Sequence, residues 1–362
     1  MKKTLSLALL FLPISALAEI NNESFSSIGF TVGQIGYKES GTLSSGVKFQ
    51  TTPKTTNLFN YSGGYTAIGD RFGFYINNTS TLSSTLDSES WSAAGTNTDA
   101  STGTSYSVDG VFQTDKASAR HQALDILAGY LLGSGHQLIG GVSYTQSALD
   151  RSGFGYGSGG KTGVLNDFNN ANLAPFAGSV SVANSTATTP ANDLAALTAA
   201  YGADPVGKIR NFTETFSTYT GIVGYRYDTL FKTKQLGSRY QFGATLGIPM
   251  HYDVVNTSRP DLSFNSSLEG YDVGLSAGYG WRFTETFSVM LAANYYYRVR
   301  PEIKKLVSTR QQSIDATKTI DANGDLNADF PNGVDPGRDR YASIPKNEIN
   351  YLNFGLAAYW NF

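Results

Sequence analysis

The last ten residues, 353–362, alternate strictly along the chain. Every second side chain is apolar: Phe354, Leu356, Ala358, Trp360 and Phe362. The residues between them are small or polar, apart from Tyr359. A period of two predicts a β-strand with one apolar face, because successive strand side chains point to opposite sides. A soluble protein rarely exposes Trp and Phe together on one strand face, which favours a strand in contact with lipid.

Nine further segments alternate in the same way, and most carry an apolar outward face with aromatic residues near its ends. They lie at about 25–37, 57–68, 71–77, 121–132, 138–144, 216–228, 239–253, 271–282 and 287–300. In the second segment we expect Phe59 and Tyr65 to point outward. Tilted strands that span a membrane need about 9–11 residues. The sequence therefore predicts an all-β fold, a transmembrane antiparallel up-and-down barrel of ten strands.

The alternative is twelve strands, because the connection Asp150–Arg210 is long enough to hide a hairpin or a short helix at Asn192–Tyr201. With an even strand number, short periplasmic turns alternate with long extracellular loops. The predicted outer connections are Lys38–Thr56, Ser83–Arg120, Asp150–Arg210, Asn256–Asp261 and Glu302–Lys346, and four of these five are long. We expect Ser83–Arg120 and the Gly-rich Ser152–Gly163 to be mobile surface loops.

Residues 1–18 have the pattern of a signal peptide, with a basic start, a short apolar run and the small-x-small site Ala16-Leu17-Ala18. Residues 19–362 then form a single barrel domain. Its 22 Tyr, 21 Phe and 39 Gly, with slightly negative mean hydropathy, are typical of barrels in which alternate strand residues meet lipid. The formal charge of −2 becomes −4 once Lys2 and Lys3 are removed, which indicates no nucleic-acid partner. The absence of Cys excludes disulfides and thiol chemistry.

The terminal strand resembles the C-terminal signal strand of Gram-negative outer-membrane β-barrels, in its alternation, in Trp360 and in Phe362. This resemblance implies residence in the outer membrane of a Gram-negative bacterium. It also implies recognition by the barrel assembly machinery and pairing of the terminal strand with the first strand. Outer-membrane lipid and lipopolysaccharide are then the surrounding partners.

Charged residues alternate with the outward faces and are predicted to line the lumen: Arg71, Asp125, Arg226, Asp228, Arg239, Asp272, Arg282, Arg298 and Arg300. A ten-stranded barrel is narrow, and its interior is mostly filled by side chains. Mixed charges in such a lumen form either a self-satisfying structural ladder or a polar lining for a small solute.

One strand position breaks the regular pattern, because Pro249 cannot donate to a ladder and predicts a bulge. Two residues further on, His251 and Asp253 are predicted to point into the lumen near its outer mouth. A second acidic pair, Asp87 and Glu89, stands on the outer connection after the third strand. A ten-stranded barrel with these two pairs resembles the omptins, outer-membrane endopeptidases. That resemblance implies that Asp87, Glu89, His251 and Asp253 activate a water between them.

The last outer connection carries oxygen-bearing side chains at alternate positions: Asp321, Asn323, Asp325, Asn327 and Asp329. This spacing resembles a Ca²⁺ loop, although its glycine and its twelfth residue do not fit the usual pattern. The alternative is a solvated acidic turn. No other cofactor is expected.

These patterns favour a non-enzymatic outer-membrane protein whose long loops contact an external ligand that the sequence does not identify. Two alternatives remain open, an omptin-like endopeptidase and a narrow small-solute channel.

Overall fold

The computed structural model describes residues 21–42, 48–98, 105–156, 212–232, 234–256, 263–307 and 340–362. Within these ranges the strands are β1 (Phe25–Thr42), β2 (Lys48–Thr51), β3 (Lys54–Ile68), β4 (Phe72–Ser84), β5 (Asp87–Thr98), β6 (Ser105–Gly133), β7 (His136–Tyr156), β8 (Phe212–Asp228), β9 (Gly237–Asn256), β10 (Ser263–Ser266), β11 (Tyr271–Thr284), β12 (Phe287–Arg300), β13 (Ile303–Val307), β14 (Arg340–Ile344) and β15 (Lys346–Asn361). A 3-10 turn at Thr229–Phe231 follows β8. No helix within these ranges is long and apolar enough to cross a membrane.

Ten strands form a closed antiparallel ring, in the order β1, β3, β4, β6, β7, β8, β9, β11, β12 and β15. The ring closes where β15 pairs with β1, from Phe25–Asn361 to Ser40–Lys346. This confirms the ten-stranded barrel and the pairing of the terminal strand with the first. Strand β7 pairs directly with β8, so no hairpin is inserted in the ring between them. The predicted signal peptide, 1–18, and the possible helix, 192–201, lie outside the described residues.

The outer surface of the ring carries a continuous apolar belt. Its residues are between 47% and 65% exposed: Phe30, Ile76, Ile126, Val223, Leu246, Leu291 and Phe354. Aromatic residues edge the belt toward the short turns, where Tyr240 lies 5.3 Å from Tyr279 and Phe287 lies 5.8 Å from Trp360, centroid to centroid. Such a belt is stable only against hydrocarbon, and flanking aromatic rings suit the membrane interface. The end with short turns is called the inner end below, and the opposite end is called the outer end.

The facing of β3 was predicted wrongly. Phe59 and Tyr65 are fully buried and point into the lumen, whereas Ile68 is exposed. Small and polar residues occupy much of the outward face of β3. The aromatic residues of the inward face were therefore mistaken for the lipid-facing ones. Inside, the Tyr65 ring lies against Gly73 of the neighbouring strand and its hydroxyl donates to Asn22 Oδ1 at 2.7 Å.

The connection Ser83–Arg120 is also not the mobile loop that was expected. It contains β5 and the first half of β6, which pair with each other, and β5 also pairs with β2. Strand β6 is 29 residues long, far more than the about 9–11 that cross a membrane. The barrel wall therefore continues beyond the apolar belt at its outer end. A strand that lies beyond the lipid needs no apolar outer face. The Ser- and Thr-rich sequence of β5 and of the first half of β6 therefore looked like that of a loop.

The contact between Gly73 and Tyr65 yields a testable expectation. A Cβ at residue 73 would overlap the Tyr65 ring, so Gly73→Ala is expected to lower the free energy of unfolding by about 1–3 kcal/mol through overpacking. Gly140→Ala is the matched control, because its nearest neighbour would be the Ile222 carbonyl oxygen at 3.5 Å. Urea unfolding in detergent micelles measures both variants. The overlap account also requires Tyr65→Leu to relieve the effect of Gly73→Ala, and an equal loss in both glycine variants would contradict it.

Candidate functional site

The inner end of the lumen is closed by an aromatic plug, called the inner plug below. After β8 the 3-10 turn places Leu230 and Phe231 inside the barrel, both buried. The Phe231 ring lies 5.0 Å from that of Tyr65, and the Phe25 ring lies 5.5 Å from that of Tyr359. Asn21 Nδ2 ties the turn in place by donating to the Leu230 carbonyl at 2.8 Å. These packed rings occupy the lumen at this end.

Asp228 holds the inner plug in position. Its carboxylate accepts hydrogen bonds from Arg239 Nε at 3.1 Å and Nη2 at 2.9 Å, and from Arg226 Nη2 at 3.3 Å. The same carboxylate accepts the Leu230 backbone N–H at 2.9 Å and thereby caps the 3-10 turn. The Arg239 guanidinium also lies 4.2 Å from the Tyr359 ring centroid. Asp228 therefore links the buried Arg239 and the partly buried Arg226 to the 3-10 turn.

A second closure lies toward the outer end and is called the outer ion cluster below. Arg151 is completely buried and contacts three carboxylates, those of Glu39 at 2.9 Å, Glu89 at 2.7 Å and Glu214 at 3.2 Å. The pair with Glu89 is bidentate, since Nη2 also donates to Glu89 at 2.9 Å. The side chains of all four residues are at most 1% exposed. Four charged side chains from four strands thus meet inside the barrel.

Neighbouring groups complete the outer ion cluster. Thr51 Oγ1 donates to Glu89 at 2.9 Å, and the Tyr37 hydroxyl donates to Glu39. The Arg151 guanidinium lies 5.0 Å from the Trp91 ring centroid. The predicted strands did not include Arg151, Glu39 and Glu214, which lie beyond their ends. The alternation of β7 could have identified Arg151, because every second side chain from Ser143 to Arg151 points into the lumen.

A third charged layer lies on β11 and β12. Asp272 Oδ1 is 2.6 Å from Arg300 Nη1, while Oδ2 accepts hydrogen bonds from Thr220 and Tyr296, each at 3.1 Å. Arg298, two residues before Arg300 on the same face, is also fully buried. Mixed charges therefore cross the lumen at several levels.

A chamber of about 280 Å³ remains between the two closures. Its lining is partly polar, with Asp125, Arg226, Asp272, His121 and Thr145, and partly apolar, with Leu127, Ile222 and Met290. Ser143 Oγ donates to Asp125 at 2.5 Å. The chamber lies among inward-facing side chains of both kinds, between the inner plug and the outer ion cluster.

Most residues predicted to line the lumen do point into it: Asp125, Arg226, Asp228, Arg239, Asp272, Arg282, Arg298 and Arg300. Near the inner end, Arg282 pairs with Glu23 at 3.1 Å. Arg71 is the exception. It lies on the exposed turn before β4, where strand alternation has not yet begun, and does not line the lumen.

The predicted inward facing of His251 and Asp253 is wrong. Pro249 does mark a bulge: Thr220 pairs with Pro249 and Tyr219 with His251, so that Met250 is an extra residue. The extra residue reverses the alternation. His251 is consequently exposed on the outer face with Met250, and Tyr252 points inward in its place.

The four residues that the omptin resemblance implied are not brought together. Glu89 points into the lumen and pairs with Arg151, whereas His251 points away from the lumen on β9. Asp87 is half-buried, and its carboxylate accepts a hydrogen bond from Thr85 Oγ1 at 2.9 Å. The arrangement leaves no acidic pair facing an imidazole among these four residues.

The predicted Ca²⁺ ligands, Asp321, Asn323, Asp325, Asn327 and Asp329, lie outside the described residues. Within the described ranges, no three acidic or imidazole side chains are grouped so that they could hold a metal ion.

An open cleft of about 910 Å³ lies at the outer rim, between the extension formed by β2 and β5 and the outer ends of β11, β12 and β15. Its lining includes three lysines, one carboxylate and two aromatic rings: Lys38, Lys48, Lys346, Glu302, Phe49 and Tyr271. Lys346 Nζ lies 2.6 Å from Glu348, which also accepts a hydrogen bond from Tyr297 at 2.9 Å. We call this space the outer cleft.

The sequence matches no protein family and no curated protein. Among solved structures, the barrel is similar to the outer-membrane protease OmpT from Escherichia coli, at 10% identity and a TM-score of 0.50, over 96% of this chain and 99% of that one. It is less similar to the outer-membrane protein OprG from Pseudomonas aeruginosa, at 9% identity, 95% and 98% coverage and a TM-score of 0.29. The Pseudomonas putida toluene transporter TodX matches at 10% identity, 95% and 91% coverage and a TM-score of 0.27.

The closed ring of ten strands and its apolar belt define the class of this protein, an integral outer-membrane β-barrel. The protein resides in the outer membrane of a Gram-negative bacterium. At 10% identity, the likeness to OmpT concerns the fold alone.

Proposed function

We propose that this protein is a non-conducting, non-enzymatic barrel that binds an acidic oligosaccharide at the cell surface. The observation that carries the proposal is the contrast between a lumen crossed by buried ion pairs and a rim that holds an open, lysine-lined cleft. Binding at the rim requires no passage through the barrel.

The outer ion cluster argues against a solute path. A solute that entered the lumen from outside would have to displace Arg151, which is bound to three carboxylates at 2.7–3.2 Å. Removing one partner from a buried ion pair costs about 3–5 kcal/mol. The inner plug would then present a second barrier, because the rings of Phe25, Tyr65 and Phe231 pack against one another.

The same cluster argues against water activation by Glu89. Its two carboxylate oxygens already accept hydrogen bonds from Arg151 and Thr51. A general base must lie within hydrogen-bond reach of the proton it removes and must be free to accept it. A buried carboxylate that is already ion-paired is better suited to a structural role.

The composition of the outer cleft favours an acidic oligosaccharide as the ligand. Lys38, Lys48 and Lys346 place three cations around one cavity, with Glu302 as the carboxylate among the described lining residues, and Lys346 is also paired with Glu348 at 2.6 Å. Tyr271 adds an aromatic ring of the kind that packs against sugar rings. Lysine ammonium groups provide charge without the planar geometry of arginine, which suits a flexible polyanion.

Binding of a heparin-derived hexasaccharide to refolded protein in detergent micelles tests the proposal, with a neutral dextran oligomer as the reference ligand. The triple variant Lys38→Gln/Lys48→Gln/Lys346→Gln is expected to bind the hexasaccharide roughly tenfold more weakly, since exposed charge pairs each contribute about 0.2–1 kcal/mol. The variant Lys54→Gln/Lys116→Gln/Lys234→Gln removes the same charge from exposed positions outside the cleft lining and should bind like the wild type.

Three outcomes would overturn the proposal. Equal weakening in both triple variants would show that net charge, not the outer cleft, controls binding. Discrete current steps from the wild type in a planar bilayer would show an open lumen and support the channel. Cleavage of a dibasic peptide by the wild type in the presence of lipopolysaccharide would support the endopeptidase.

A further inference from the structure

The Arg298 side chain is an unusual feature of the lumen, and it is independent of the outer cleft. It is 0% exposed, and none of its three guanidinium nitrogens has a hydrogen-bond partner among the described residues. A buried charge is strongly unfavourable unless it is paired and hydrogen-bonded. The guanidinium can only donate hydrogen bonds, so a compensating group has to be an acceptor.

The nearby carboxylates are already engaged. Asp272 lies opposite Arg298 in the β11–β12 register, yet its carboxylate contacts Arg300, Thr220 and Tyr296. The carboxylates of the outer ion cluster bind Arg151. None of the described acidic residues lies within ion-pair distance of Arg298.

A row of hydroxyl groups faces the same part of the lumen. Thr145, Thr218 and Tyr252 are paired in register across β7, β8 and β9, and each is at most 3% exposed. Within the described part of the chain, none of these three hydroxyls has a hydrogen-bond partner. Nε2 of His121, which is 1% exposed, is likewise without one.

Ring contacts place the Arg298 guanidinium close to this row. Its Cζ lies 5.9 Å from the Phe216 ring centroid, and Phe216 is two residues from Thr218 on the same face of β8. The Phe216 ring stacks on that of Tyr252 at 6.4 Å. A cation and a row of buried hydroxyls, all without partners, therefore converge on one region.

We propose that this region binds a small inorganic anion of chloride size, held by the Arg298 guanidinium and by the hydroxyls of Thr218, Tyr252 and Thr145. Charge-assisted hydrogen bonds from a guanidinium to an anion are among the strong ones. The two closures restrict the size of the occupant, and the chamber lined by His121 and Thr145 provides adjoining space. The anion supplies the acceptors that the described side chains do not.

Two measurements test the site on the full refolded protein. Crystals soaked in bromide are expected to show an anomalous peak within hydrogen-bond distance of the Arg298 guanidinium.

In micelles, the wild-type Tm is expected to rise by several degrees as chloride replaces gluconate at constant ionic strength, because a ligand that binds only the folded state stabilises it. Arg298→Met should abolish this rise, and Thr218→Val should reduce it. Arg120→Met, at an exposed arginine paired with Asp150, should retain it.

A competing account is that Arg298 offsets the excess negative charge of the outer ion cluster from a distance, through water. That account predicts a Tm independent of the anion in every variant and no bromide peak at Arg298, and either result would overturn the proposal. If Arg298→Met does not fold, Thr218→Val keeps the test decisive. An unchanged chloride response in Thr218→Val, together with no bromide peak, would mean that the region holds only water.

Discussion

Arg151→Met is expected to lower the free energy of unfolding of the barrel by about 3–5 kcal/mol. The substitution keeps most of the side-chain volume but leaves Glu39, Glu89 and Glu214 buried without their shared cation. Their mutual repulsion and lost solvation then act against the folded outer end. Urea unfolding in micelles, followed by tryptophan fluorescence and by the gel shift between unboiled and boiled samples, measures the change.

Arg120→Met is the matched control for this prediction. Arg120 pairs with Asp150 at 2.8 Å, but its side chain is 56% exposed, so its loss should change stability by about 0.2–1 kcal/mol. A second substitution sharpens the test. Glu89→Gln should destabilise the wild type, yet it should be less harmful or even favourable in the Arg151→Met background, because contacting charges are energetically coupled. Similar losses for Arg151→Met and Arg120→Met would refute the role assigned to the outer ion cluster.

Asp228→Ala is expected to have a comparable effect at the other end of the lumen, again about 3–5 kcal/mol. It leaves the buried Arg239 and the partly buried Arg226 without their carboxylate and removes the acceptor of the Leu230 backbone N–H. Asp228→Asn should be intermediate, because an amide oxygen can still cap the 3-10 turn but does not neutralise the two arginines. The same unfolding assay measures both variants.

The control at the inner end is Asp70→Ala, at an exposed aspartate on the turn between β3 and β4. Surface substitutions of this kind usually change stability by about 0.5 kcal/mol or less. If Asp228→Ala proved as mild as Asp70→Ala, Asp228 would not be the residue that holds the inner plug.

The features set by lipid were predictable from the sequence. The alternation at 353–362 predicted a strand that closes the ring, and β15 does pair with β1. Lipid imposes an apolar residue at every second position, and that regularity is visible without any knowledge of strand partners. The ten-strand count and the outward belt followed from the same regularity.

The interior was less predictable, because its contacts join residues far apart in the chain. Arg151 and Glu39 are 112 positions apart, and nothing local marks them as partners. On β3, small outward residues left Phe59 and Tyr65 as the most apolar positions, although they point inward. On β9, Pro249 indicated a bulge, but it did not indicate whether His251 would face the lumen or the outer surface after the bulge. Beyond the belt, the strands have a polar composition like that of loops, so they were not predicted as strands.

The seam between β1 and β15 has a consequence for biogenesis. Strand β1 pairs with β15, which lies more than 300 positions later in the sequence. The barrel therefore cannot close until nearly the whole chain has been synthesised. Such distant pairing is slow, and an unsealed edge is prone to aggregate. Export in an unfolded form, followed by sealing at the membrane, is therefore the order of events to which this architecture is suited.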